Sequence, residues 1–232
     1  MSGQYPKKVV KRLPHGQARG MILDAAEVLF SNANIDVVSF RDLSREAGVS
    51  LSAIHYHFGS KEGVLSEVFA RQASNLVNRR LALLEALERT DLNIAALDKL
   101  IDAFIRPAFE VTQGDRNDLF NQLLARLSVE SSRVTRRIIS EAFDENDQLF
   151  ISEIQKAAPH LGKKEVYWRF HFLVGAMIYT MSDAGQLHGL SNGSCDTIDT
   201  EAALRQMTNG FTGLFLAPES NPVQNAIFSK AV

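Results

Sequence analysis

The stretch "VSFRDLSREAGVSLSAIHYHFGSKEGVL", residues 38–65, holds two short helical patterns divided by a tight turn. Ser39 stands where a helix N-cap belongs, and Asp42 three residues later completes a capping box. Gly48 follows as a stop signal, because glycine readily takes the left-handed conformation that ends a helix. A short helix is expected over about 50–57. Ser60 then caps a longer one, with Glu62 in its first turn. Val38, Leu43, Ala47, Val49, Ile54 and Phe58 supply the apolar positions. Ala47 is small enough for two helices to cross closely, Val49 plugs the turn, and Ile54 anchors the second helix inward. The remaining positions of that helix, Leu51, Ser52, Ala53, His55, Tyr56 and His57, then face away from the core.

This pattern is the one expected of a helix-turn-helix, in which the first helix braces a second that enters the DNA major groove. Small side chains at Ser52 and Ala53 let the helix backbone approach base edges. Tyr56 and the two histidines can donate to phosphates. Ser39 and Arg41 lie at the start of the bracing helix, where a DNA backbone passes. Lys61 opens the next helix, whose first N–H groups suit an anion. A metal site built on His55 and His57 is not expected. Residues two apart on a helix point about 200° apart, and no cysteine or third histidine stands nearby.

Composition agrees with a globular chain: 232 residues, 45% apolar and 22% charged, with a net charge of −2. That average hides an asymmetry. Residues 1–62 hold eight cations and six anions, a net +2, which leaves −4 for the rest. A mildly basic head on an acidic body suits a head that meets nucleic acid. The single cysteine, Cys195, excludes an internal disulfide and fits a reducing compartment. The basic start of the chain lacks the apolar run of a secretory signal. The most apolar stretch, "FHFLVGAMIYTM" (170–181), is too short to span a bilayer. A cytoplasmic location is therefore expected.

The rest of the chain reads as helix, with no alternating strand pattern and no repeat. The reading is all-α, with about nine helices. A basic flexible arm is expected over 1–17 and a three-helix head over 18–66. A helical body is expected over 67–218, and a frayed tail over 219–232. Residues 94–111 read as one helix that Pro107 kinks or divides. Residues 163–189 read as one long helix, apolar nearly all round, which must be covered on every side. Thr197 or Asp199 caps a final helix that ends before Pro218.

Residues 39–65 strongly resemble the DNA-binding segment of TetR-type transcriptional regulators, through "RDLSREAGVS" and "YHFGSKEGVL". The resemblance covers about residues 18–66. One departure is His55, where the family commonly has tyrosine. The resemblance implies phosphate contact by His55, Tyr56 and Lys61 and base reading by Ser50, Leu51, Ser52 and Ala53. His57 either joins them or packs under the head. It also implies a dimer in which the last two long helices pair with their twins. Trp168, Gly175, Ala176, Met207, Phe211 and Leu214 would lie in that interface.

The same resemblance implies a regulator, usually a repressor, whose body binds a small molecule and frees the head from a palindromic operator. Phe104, Phe109, Phe120, Leu124, Phe143, Phe172, Met177 and Met181 are candidates to line an apolar effector pocket. By default an aromatic or methionine stripe at helical spacing is the ordinary core of a helical body. The later helices loosely resemble the fatty-acid-responsive subgroup. The partners expected are thus double-stranded DNA, a second copy of the chain and a small effector, with no membrane, metal or cofactor. Control by a protein partner is the alternative. An enzyme is not expected, because Glu130, Asp144, Glu145, Asp147 and Glu153 make no Glu-x-x-His pair.

Overall fold

The computed structural model describes residues 15–33, 35–88, 97–110, 116–130, 132–182 and 185–219. The expected arm, apart from 15–17, and the expected tail beyond Glu219 lie outside them. The described residues form ten helices and no strand. They are α1 (His15–Asn32), α2 (Phe40–Ala47), α3 (Leu51–Phe58), α4 (Lys61–Glu88) and α5 (Leu97–Phe109). After them come α6 (Arg116–Val129), α7 (Arg133–Ala157), α8 (Lys163–Met181), α9 (Gln186–Leu190) and α10 (Thr200–Leu216). The all-α reading holds, with α9 as a short extra turn.

Two compact units emerge. The first takes the described residues up to Asn75 and those from 116 to Phe143. Its core is Ile22, Ala26 and Phe30 of α1, Leu43 and Ala47 of α2, Ile54 of α3 and Val64, Val68 and Phe69 of α4, all buried. The Phe69 ring meets Phe120 at 5.5 Å and Phe143 at 5.8 Å between centroids. The second unit takes Leu76–Glu110 and the residues from Asp144 onward. Leu100, Ile101, Phe104, Phe150, Ile154, Phe170, Leu173, Leu204 and Phe215 form its core. Fully burying one such side chain contributes roughly 1.5–3 kcal/mol.

Two expectations are corrected. Pro107 neither divides α5 nor sits mid-helix. It falls in the last turn, two residues from the end at Phe109. There its ring removes the N–H that would bond the carbonyl four residues back and crowds that carbonyl, and the helix ends within the same turn. Its carbonyl accepts from Arg79 at 3.1 Å. The long helix over 163–189 is also two helices. α8 stops at Met181, where the Ser182 N–H bonds back to Ile178 and Tyr179, and α9 starts after Gly185 at φ 92°. A side chain there would be strained by about 1 kcal/mol or more, so glycine makes the break.

The expectation that this helix is covered on every side also changes. Within one chain, α8 leaves Trp168, Phe172 and Tyr179 exposed by 60%, 53% and 60%.

Candidate nucleic-acid interface

α2 begins as its sequence requires. Ser39 Oγ accepts from the Asp42 N–H at 3.3 Å, and Asp42 Oδ2 accepts from the Ser39 N–H at 3.1 Å. These bonds from Ser39 hold the Asp42 carboxyl below the usual carboxylate range. The Ser39 hydroxyl therefore serves the cap, and Arg41 beside it is exposed. At the other end Gly48 lies at φ 65°, and its N–H bonds to the Ser44 carbonyl. Ser44 Oγ donates to the Val49 carbonyl at 2.6 Å, which locks the turn. Val49, 8% exposed, fills the space beneath it.

α3 is held from one side. Ser50 is its N-cap, accepting from the Ala53 N–H at 3.2 Å, with the Ser52 hydroxyl 2.9 Å away. Ile54 is wholly buried and Phe58 half-buried. Leu51, Ser52, His55 and Tyr56 are exposed, while Ala53 and His57 are half-buried. Tyr56, at 76%, is one of the most exposed large side chains of the molecule. His55 and Phe40 make a T-shaped pair with centroids 4.6 Å apart, and Tyr56 and His57 make another at 5.2 Å. The outward face of α3 is thus a preset row of hydroxyl, imidazole and phenol groups.

Lys61 has a role the sequence did not reveal. Its ammonium donates to the carbonyls of Ile35 at 2.7 Å and Asp36 at 3.2 Å, tying the start of α4 to the loop ahead of α2. Sequence reading also missed the brace between α1 and α4. Glu27, 2% exposed, accepts from Arg71 at 2.6 Å and from Gln72 at 2.8 Å, and Arg71 reaches Asp24 at 2.9 Å. Arg19 pairs with Glu67 and lies 5.8 Å from the centre of the Phe58 ring. These partners lie far apart in sequence, so no local pattern announces them.

The effector candidates divide between the units. Phe120, Leu124 and Phe143 are buried in the first. Phe104, Phe109 and Met177 are buried in the second, where Phe104 meets Phe150 at 5.1 Å and Phe170 at 4.9 Å. Met181 is half-buried at the end of α8. Phe172 does not share that interior. It stands on the outer face of α8, 5.9 Å from Trp168.

Of the interface candidates, Trp168 and Gly175 are exposed, and Ala176, Met207, Phe211 and Leu214 are half-buried. Among the described residues no group of three His, Cys, Asp or Glu is placed to hold a metal ion. No described helix is long and apolar enough to cross a membrane.

Comparison with known proteins accords with this architecture. Residues 22–68 match the model for bacterial regulatory proteins of the tetR family, and residues 102–213 match the tetracyclin repressor-like C-terminal domain. The transcriptional activator FasR of Mycolicibacterium smegmatis is 30% identical over 105 residues, 45% of this chain and 47% of FasR. The chain spans about half, or less, of the curated relatives it matches. Among solved structures, the fatty acid degradation regulator FadR of Bacillus halodurans aligns with a TM-score of 0.59 at 15% identity. That alignment covers 84% of this chain and 97% of FadR. The TetR-family regulator PfmR of Thermus thermophilus aligns at 0.55 and 20% identity, covering 86% and 99%. At such identities these structures share the fold. With both halves matched in order, the chain belongs to the TetR family of transcriptional regulators.

Proposed function

We propose that the protein is a homodimeric DNA-binding regulator, a repressor that a small apolar effector releases from a palindromic operator. The observation that carries this reading is the outward face of α3. Its Ser52, His55 and Tyr56 are exposed while Ile54 alone is wholly buried, an arrangement that leaves the helix open to a major groove. Arg41, Tyr56 and His55 contact phosphates, and Leu51, Ser52 and Ala53 approach the bases. Ser50 and Ser39 shape the helix starts that meet the DNA, and Lys61 supports the same surface.

Dimerisation is supported by α8. Trp168, Phe172, Gly175 and Tyr179 recur every three or four residues and form one exposed stripe. A second copy related by a two-fold axis covers that stripe and sets two α3 helices for two half-sites.

The test is fluorescence anisotropy against DNA flanking the protein's own gene. The wild type binds, while Arg41→Ala and Tyr56→Ala each weaken binding at unchanged melting temperature. Arg41→Ala also lowers the salt slope by about 0.9, the value of one lost phosphate contact. Failure of the wild type to bind any flanking segment overturns the reading.

A further inference from the structure

Lys61 is the first residue of α4 and is half-buried. Its ammonium donates to the Ile35 carbonyl at 2.7 Å and to the Asp36 carbonyl at 3.2 Å. Both carbonyls lie in the turn between α1 and α2, outside any helix, and need a partner from elsewhere. That turn is seated on the core by Ile35 and Val38, at 7% and 4% exposure. Ser39 follows as the N-cap, and Phe40 is the first residue of α2. The Phe40 ring makes its T-shaped contact with His55, on the outward face of α3. A continuous path thus runs from the start of α4, through the turn and the head of α2, to α3. An ammonium has three donors, and two of them are committed to this turn. Bonds from a charged donor are the stronger kind.

We propose that Lys61 is a positioning residue of the DNA interface, one that holds the α1–α2 turn and through Phe40 sets His55, and that it is not a phosphate ligand. The inference rests on the reading of α3 as the helix that meets DNA. Lysine suits the task because a compact ammonium on a long stem fits between two adjacent carbonyls. A phosphate would have to draw the ammonium off both carbonyls and leave them without that donor. The contact between Phe40 and His55 depends on ring geometry, so a shift at the start of α2 reaches the imidazole directly.

The first experiment needs no DNA. With isotope-labelled histidine in the full-length protein, NMR reads the ring protons of His55, which lie in the ring-current field of Phe40. Lys61→Met is expected to move these signals in the same direction as Phe40→Leu. Unmoved His55 signals in Lys61→Met overturn the proposal.

The second experiment is operator binding by fluorescence anisotropy over a salt series, at a temperature where every variant is folded. Lys61→Met and Phe40→Leu each lower affinity roughly tenfold. On a His55→Ala background neither costs more than about a further twofold, and the salt slope stays that of His55→Ala. A phosphate ligand behaves otherwise, because its loss lowers the slope by about 0.9 on either background. That fall in slope, additive losses, or undiminished binding by Lys61→Met overturns the proposal. Lys61→Arg keeps the charge and changes the shape of the donor, and it takes the same place in both assays if Lys61→Met does not fold. It is expected to weaken binding severalfold, whereas a phosphate ligand tolerates arginine.

The two readings fail differently. A wild type that binds no flanking DNA sinks the regulator, while the His55 signals still decide the path from Lys61. Tight binding with unmoved His55 signals keeps the regulator and sinks the positioning role.

Discussion

Gly48 and Gly63 both lie in the helix-turn-helix segment, for different reasons. Gly48 takes φ 65°, and nothing lies within 4 Å of a Cβ added there. Gly48→Ala is therefore strained only in its backbone, and thermal unfolding should show a loss of about 1–2 kcal/mol. At Gly63 an added Cβ would come within 2.4 Å of the Phe58 carbonyl oxygen. Backbone cannot step aside cheaply, so Gly63→Ala should cost more than Gly48→Ala and reduce DNA binding by displacing the end of α3.

Asp147 supports a pH prediction at the same scale. Burial raises its carboxyl to about 6, with Arg80 pulling the other way and Asp144 adding to the rise. A carboxyl raised on folding binds more protons folded than unfolded. Its contribution to stability therefore falls as pH rises from the ordinary aspartate range, near 3.8, to about 6. Asp147→Asn carries no such proton. Chemical denaturation across that window should show the wild type losing stability relative to the variant as pH rises. A gap that stays constant, or that closes in the opposite direction, refutes this.

α2 and α3 show why the head was so legible. Their signals act within a few residues: a capping box from Ser39 to Asp42, a left-handed glycine, a serine cap at Ser50. Removing one such signal has a bounded effect. Ser39→Ala should lower stability by about 1 kcal/mol, read as a shifted urea midpoint with an unchanged slope. α8 was less legible. Its composition reads as continuous helix through Gly189, yet the backbone turns at Ser182 and Gly185. Apolar content states that a face wants covering without stating by what, so buried Phe170 and exposed Phe172 look alike in sequence.

For the whole molecule, the open stripe on α8 makes subunit association directly observable. Trp168 is the chain's one tryptophan and is 60% exposed in the single chain. Dilution through the dissociation range should shift its emission to the red. Phe172→Asp, which places a charge in the middle of the stripe, should give a monomer by light scattering and a marked loss of operator affinity. A variant that remains dimeric and binds normally would place the interface elsewhere.

By itself the sequence determined the helical class, the helix-turn-helix and the outward row on α3. Each depends on bonds and periodicities that close within a turn or two of chain. Tertiary structure alone decided that Glu27 and Arg80 are buried. A charged residue on a helix ordinarily reads as solvated surface, and the partners that hold Arg80 inside stand 24 to 97 positions away. The same holds for Lys61, whose ammonium is committed to carbonyls more than two dozen residues earlier. Contacts over such separations leave no local trace, because chain folding and not sequence proximity brings their partners together.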